Sequence, residues 1–187
     1  VASEQHFFAS HSDVIECLRV HHAALDTYVA TGELGVRPKV IVWSAATREV
    51  LATLRGLHRN GILHVDFSAD GELLATVGAL SGAAADRAPA QLIAIYEWRC
   101  ARLCFAAEIG NACLILDVRF ISKCEFATCG MNHIHFWRAS DCESMGNPTY
   151  LRERGLLCRH VLPQPFLAIA APGGIVAVGP SRRPSHT

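Results

Sequence analysis

The chain has 187 residues, and its 17 lysines and arginines balance 17 aspartates and glutamates. With 51% hydrophobic and 18% charged residues, against roughly 25% charged in an average soluble domain, it carries enough apolar material for a core, and disorder over most of its length is excluded. Zero formal net charge gives neither nucleic acid nor an anionic membrane a long-range attraction, so neither is expected as a partner.

Three segments repeat one order of features. The first reads His11, Val14–Val20, Tyr28–Gly32 and Lys39–Trp43; the second reads His58, Ile62–Phe67, Leu73–Gly78 and Leu92–Tyr96; the third reads Asn111, Ile115–Phe120, Phe126–Gly130 and His133–Trp137. Each has a polar side chain ahead of an apolar run, then an Ala-Thr run ending near glycine, then an alternating run closed by an aromatic. Val65 and Phe67, like Val118 and Phe120, alternate with charged residues, the pattern of strands with one buried face. Ser68-Ala-Asp-Gly71 is a tight-turn signal between two such strands.

The closing aromatics Trp43, Tyr96 and Trp137 lie 53 and 41 residues apart. The longer interval holds the small-residue stretch Ala79–Gln91, an expected surface-loop insertion. Without it the period is about forty residues, the length of a four-stranded propeller blade. Glu49–Leu54 and Arg102–Ala106 supply outer strands for the first two repeats. None is evident for the third, because Arg138–Pro148 is polar and punctuated by Gly and Pro.

The twenty residues Val161–Pro180 lack a charged side chain but do not read as a membrane span. Pro163, Pro165, Pro172, Gly173 and Gly174 interrupt them, and a lipid-exposed backbone would not tolerate such breaks. Two strands, Phe166–Ala170 and Ile175–Gly179, around a Pro-Gly-Gly turn fit better. The expected architecture is all-β: blade 1 over 1–54, blade 2 over 55–107 with the insertion at 79–91, blade 3 over 108–145, a partial blade 4 over 146–180 and a disordered tail over 181–187. About three and a half blades cannot close a propeller, so the chain is expected to be a portion of a longer protein or a truncated gene product.

The residues recurring in register resemble WD40 repeats, in which a His, a Ser/Thr and a Trp form a hydrogen-bonded set within each blade. The set would be His11, Thr31 and Trp43 in blade 1, His58, Thr76 and Tyr96 in blade 2, and Asn111, Thr128 and Trp137 in blade 3. The Asp that usually completes it is missing from all three. Within that class, Ala30–Trp43, Phe67–Gly78, Ile95–Trp98 and Cys129–Trp137 are similar to blades of the echinoderm microtubule-associated protein-like (EMAP-like) family. That resemblance implies a cytoplasmic, cytoskeletal, non-enzymatic protein without cofactors whose partners are proteins, with tubulin or microtubules first. Arg152, Arg154, Arg159, Arg182 and Arg183 are the basic concentration that could meet an acidic tubulin surface. A general WD40 scaffold of a ciliary or trafficking complex is the alternative.

Other chemistry finds little support. The eight cysteines include no CxxC pair and are expected to be reduced, buried thiols. His21 and His22 point to opposite faces of a strand; His133 and His135 share one but lack two further ligands at zinc spacing, with Cys129 the nearest thiol. No nucleophile elbow, phosphate-binding loop or framed carboxylate pair occurs. Gly32–Gly35 precedes a strand, not a helix, and so is a turn.

Overall fold

A computed structural model describes residues 8–82, 88–110, 113–131, 133–141, 148–155, 165–171 and 176–180. Among them the chain forms three four-stranded antiparallel sheets and one two-stranded sheet. Sheet 1 contains β1 (Ile15–His22), β2 (Thr27–Glu33), β3 (Val40–Ser44) and β4 (Val50–Leu54); sheet 2 contains β5 (Ile62–Phe67), β6 (Leu73–Gly78), β7 (Ala90–Glu97) and β8 (Arg102–Gly110). Sheet 3 contains β9 (Ile115–Phe120), β10 (Glu125–Gly130), β11 (His133–Ala139) and β12 (Tyr150–Arg154), and the last sheet pairs β13 (Phe166–Ala170) with β14 (Ala177–Pro180). Each four-stranded sheet is a meander in chain order. The first strands pack side by side, β1 on β5, β5 on β9 and β9 on β13, so the sheets radiate from a common line as propeller blades do.

The sheets hide their faces on one another. Ala30, Val40, Val42 and Leu54 of blade 1 meet Ile62, Val65, Phe67, Leu74, Ala94 and Tyr96 of blade 2. The opposite face of blade 2, with Ala75, Val77, Ile93 and Ile95, meets Val118, Phe120, Phe126 and Trp137 of blade 3. Ala127, Cys129 and Ile134 carry the second face of blade 3 onto Phe166 and Ile169. Period-two alternation therefore sends successive side chains of one strand to two different interfaces. Each large aliphatic side chain so buried contributes roughly 1.5–3 kcal/mol of transfer free energy.

Three element assignments differ from the sequence expectation. Tyr150–Arg154, expected in the fourth blade, pairs with β11 as the outer strand of blade 3. Tyr150 drives this, because its ring lies against Phe105 at 4.8 Å and Phe126 at 5.2 Å. The boundary expected at 145 thus falls after Arg154, and the fourth sheet keeps only β13 and β14 among the described residues. The insertion expected over 79–91 is shorter, since Ala90 and Gln91 already belong to β7. Gln91 is buried there and bonds the backbone of Ile115 in both directions, Nε2–H to the carbonyl at 3.2 Å and Oε1 from N–H at 2.6 Å. Finally, β8 runs on to Gly110, past the boundary expected at 107, paired with β7 throughout. The turn within 161–180 and the tail 181–187 lie outside the described residues, apart from the strand residues named. Among the described residues no helix is long and apolar enough to cross a membrane.

Candidate functional site

Three sets of side chains bear on function: the hydrogen bonds within blades, the charges along the first strands, and the loops on the rims. In blade 1 Thr31 stands opposite Ile41, with Trp43 two positions on. The Trp43 indole N–H donates to Thr31 Oγ1 at 3.3 Å, and His11 Nε2 lies 2.6 Å from the same oxygen. Phe8 stacks on Trp43 at 4.3 Å and closes the set from outside.

The acid that the sequence comparison finds missing is present in blade 1, as Glu33. His11 Nδ1–H donates to its Oε2 at 2.8 Å, and the Ser12 N–H donates to the same oxygen at 3.1 Å. Burial opposes ionisation of Glu33, but the bonds from His11 and Ser12 and the Lys39 charge outweigh it and hold the carboxyl below its usual range. The sequence signal was available: Glu33 is the carboxylate two residues after Thr31, on the same strand face.

Blade 2 keeps part of the set. His58 Nε2 lies 2.7 Å from Thr76 Oγ1, while Gly78, at the offset of Glu33, offers no carboxylate. His58 Nδ1 is left buried without a partner among the described residues, and burial lowers the imidazole pKa to about 4. Tyr96 occupies the register position of Trp43, two past the residue opposite the threonine, yet makes no hydrogen bond to Thr76. The tryptophan of this blade sits two residues later. Trp98, fully buried in a single 3-10 turn over Trp98–Cys100, donates its indole N–H to the Gly71 carbonyl at 2.7 Å. In blade 3 Trp137 donates to Thr128 Oγ1 at 3.1 Å; Asn111 lies outside the described residues.

A second set joins the blades. Asp66 on β5 and Asp117 on β9 face Arg19 on β1 and Arg119 on β9, with nitrogen to oxygen distances of 3.4–3.5 Å. Asp66 Oδ2 accepts the Phe120 N–H at 2.7 Å, and Asp117 Oδ2 accepts the Ile169 N–H at 2.9 Å. Arg119 Nε–H donates to the Ile169 carbonyl at 3.1 Å. Burial pushes the Asp66 carboxyl up to about 7, against the opposing pull of the Phe120 N–H and Arg19. Sequence reading missed this set, whose only signal was the presence of charges inside otherwise apolar first strands.

The metal candidates do not converge. The His133 and His135 rings stack with centroids 4.5 Å apart, but Cys129 pairs across from Ile134 and points to the other face, where its Sγ–H bonds the Phe166 carbonyl. His21 lies against Tyr28 and Phe67, and His22 bonds Thr27. Among the described residues no three or more His, Cys, Asp or Glu side chains are grouped to hold a metal. Cys17, Cys100, Cys104, Cys113 and Cys129 are free thiols, and burial raises Cys17 and Cys129 to about 12, far from a reactive thiolate. The expectation of reduced, buried cysteines fails at Cys124, which is disulfide-bonded, and at Cys100, which is exposed. Of the basic residues singled out near the C-terminus, Arg152 and Arg154 are exposed on β12, with Arg152 over the Trp137 ring at 5.7 Å; Arg159, Arg182 and Arg183 lie outside the described residues.

Radiating four-stranded meanders with His–Thr and Trp–Thr bonds define the fold as that of a WD40 β-propeller, of which this chain holds a part. Solved structures agree. The chain superposes with a TM-score of 0.65 and 14% identity on the β-propeller domain of Myceliophteria thermophila Cps50 (Swd1), with 91% of this chain matching 50% of that one. Kluyvelomyces marxianus Hsv2 gives 0.59 at 15% identity, covering 79% of this chain and 50% of that one. The RRP9 WD40 repeats give 0.58 at 18%, covering 79% and 40%.

Among curated proteins the chain is similar to Cilia- and flagella-associated protein 251 in two organisms. The match is 33% identical over 75 residues in Chlamydomonas reinhardtii and 30% over 124 residues in Tetrahymena thermophila. These stretches are 40% and 59% of this chain but 9% and 11% of the relatives' length. The similarity found is thus to a ciliary protein and not specifically to the EMAP-like family. No protein-family profile matches the chain.

Proposed function

We propose that this chain is an interaction segment of a WD40 scaffold working in a ciliary protein assembly. The observation that carries the reading is the similarity to Cilia- and flagella-associated protein 251 in both an alga and a ciliate, in a chain built of propeller blades. WD40 propellers are typically non-enzymatic scaffolds, and the mechanism is geometric: packed sheets hold loops rigidly, and partners dock on them. The His11–Thr31–Trp43 set of blade 1, the His58–Thr76 pair of blade 2 and the Thr128–Trp137 pair of blade 3 serve that rigidity by tying loop to strand and strand to strand. Residues Arg19, Asp66, Asp117 and Arg119 serve it between blades.

Microtubule binding is the finer reading carried over from the EMAP-like resemblance, and an axonemal location is compatible with it. Both are tested by producing the tagged chain in a ciliated cell and fractionating demembranated axonemes. Retention in the axonemal fraction with a defined set of partner proteins supports the scaffold reading. Cosedimentation with microtubules of purified tubulin supports the finer one. A chain found only in the soluble cell body, with no partner, overturns both.

A further inference from the structure

We infer that the cleft between blades 1 and 2 docks an acidic segment of a partner protein that also presents an apolar side chain. The inference rests on the interaction reading above and names the chemistry of the partner. The cleft, of about 630 Å³, is lined by Val36, Arg37, Arg55, Gly56, His58 and Arg59, without an acidic residue among the described residues. The three arginines are exposed, and none has a carboxylate partner among the described residues. Four arginines elsewhere are engaged with carboxylates, Arg19 and Arg119 with aspartates, Arg102 with Glu97 and Arg138 with Glu125. Val36, 82% exposed, stands between the positive charges, and Pro38, Val40, Leu54, Leu57 and Ile62 pack against the neighbouring wall.

The cleft is built rather than incidental. Its arginines come from two loops, one joining β2 to β3 and one joining β4 to β5, and an antiparallel bridge between Leu34 and Gly61 ties them together. Asn60, in the left-handed region at φ 66°, donates its side-chain N–H to the Leu80 carbonyl at 2.9 Å, and the Ala79 N–H donates to the Gly61 carbonyl at 2.9 Å. Held in this way, the two loop backbones lose little entropy when a ligand arrives. Three guanidinium forks around an apolar patch suit carboxylates flanking one aliphatic side chain. A nucleic acid is disfavoured because it would need a longer basic track and stacking aromatics, and the chain has no net positive charge.

The test is fluorescence anisotropy on the full chain with three probes: a fluorescein-labelled Glu/Leu-rich peptide, its Lys/Leu-rich counterpart, and a single-stranded DNA oligonucleotide. The Glu/Leu peptide is expected to bind best, with affinity falling as salt rises. The variant R37A/R55A/R59A should lose about tenfold or more of it, R37K/R55K/R59K, which keeps the charge but not the forks, should fall between that variant and the parent, and R48A, on the opposite rim, should match the parent. Equal binding by the triple alanine variant, equal loss in R48A, or tighter binding of the oligonucleotide or the Lys/Leu peptide would overturn the inference. Axonemal retention that persists while the peptide result fails would sink the cleft and leave the scaffold reading standing.

Discussion

The Asp66 carboxylate on β5 accepts the Phe120 N–H on β9 at 2.7 Å, so a side chain of one blade completes the backbone bonding of the next. The same carboxyl faces Arg19, Arg119 and Asp117. Its pKa is raised to about 7 from an ordinary value of 3.8, so the folded chain holds the proton more tightly than the unfolded one. Between about pH 4 and 7 the folded state therefore binds more protons, and stability falls as pH rises, by at most about 1.4 kcal/mol per pH unit. Asp66→Asn keeps an acceptor for Phe120 and removes the titration. Urea midpoints from pH 5 to 8 should show a downward component in the parent that the variant lacks; an identical slope in both excludes Asp66 as its source.

His58 and His135 oppose this trend. Burial lowers each to about 4, and His135 is held down further by His133, Arg152 and Arg154. The unfolded chain protonates near 6.5 while the folded one does not, so stability is lost as pH falls from about 6.5 towards 4. NMR titration of the two rings should find both neutral at pH 5.5, and a midpoint near 6.5 for either contradicts the burial argument.

Besides a backbone carbonyl each, Thr31 serves two rings, those of His11 and Trp43, whereas Thr76 serves one, that of His58. Replacing either hydroxyl by a methyl group strands buried polar atoms at roughly 1–3 kcal/mol each. Thr31→Val should therefore lower the urea midpoint more than Thr76→Val. The reverse order would show that the blade 1 set is not the tighter one.

Gly130 leaves no room for a side chain, because an added Cβ would fall 1.7 Å from the Leu114 carbonyl oxygen, a backbone atom that cannot swing away. Gly130→Ala should cost about 3 kcal/mol or more through forced backbone movement. A Cβ added to Gly110, at the end of β8, would meet no atom within 4 Å among the described residues. Gly110→Ala should leave the unfolding free energy unchanged within about 0.5 kcal/mol, read from urea midpoints.

The sequence by itself determined the strands and their period, because alternation and the Ala-Thr-Gly runs are local consequences of a half-buried pleat. It also singled out His11, Thr31, Trp43, His58, Thr76, Thr128 and Trp137 as candidates, since they recur at near-constant offsets along the chain; the bonds that join them are a property of the folded blades. Only the tertiary structure decided that Trp98 rather than Tyr96 donates an indole or hydroxyl bond in blade 2, and that Tyr150 belongs to blade 3. It alone brought Arg19 to Asp66 and Asp117, and Arg37 to Arg55 and Arg59. Those pairings cross blade boundaries, and the stacking of whole sheets, which carries no local periodicity, chooses which residues meet.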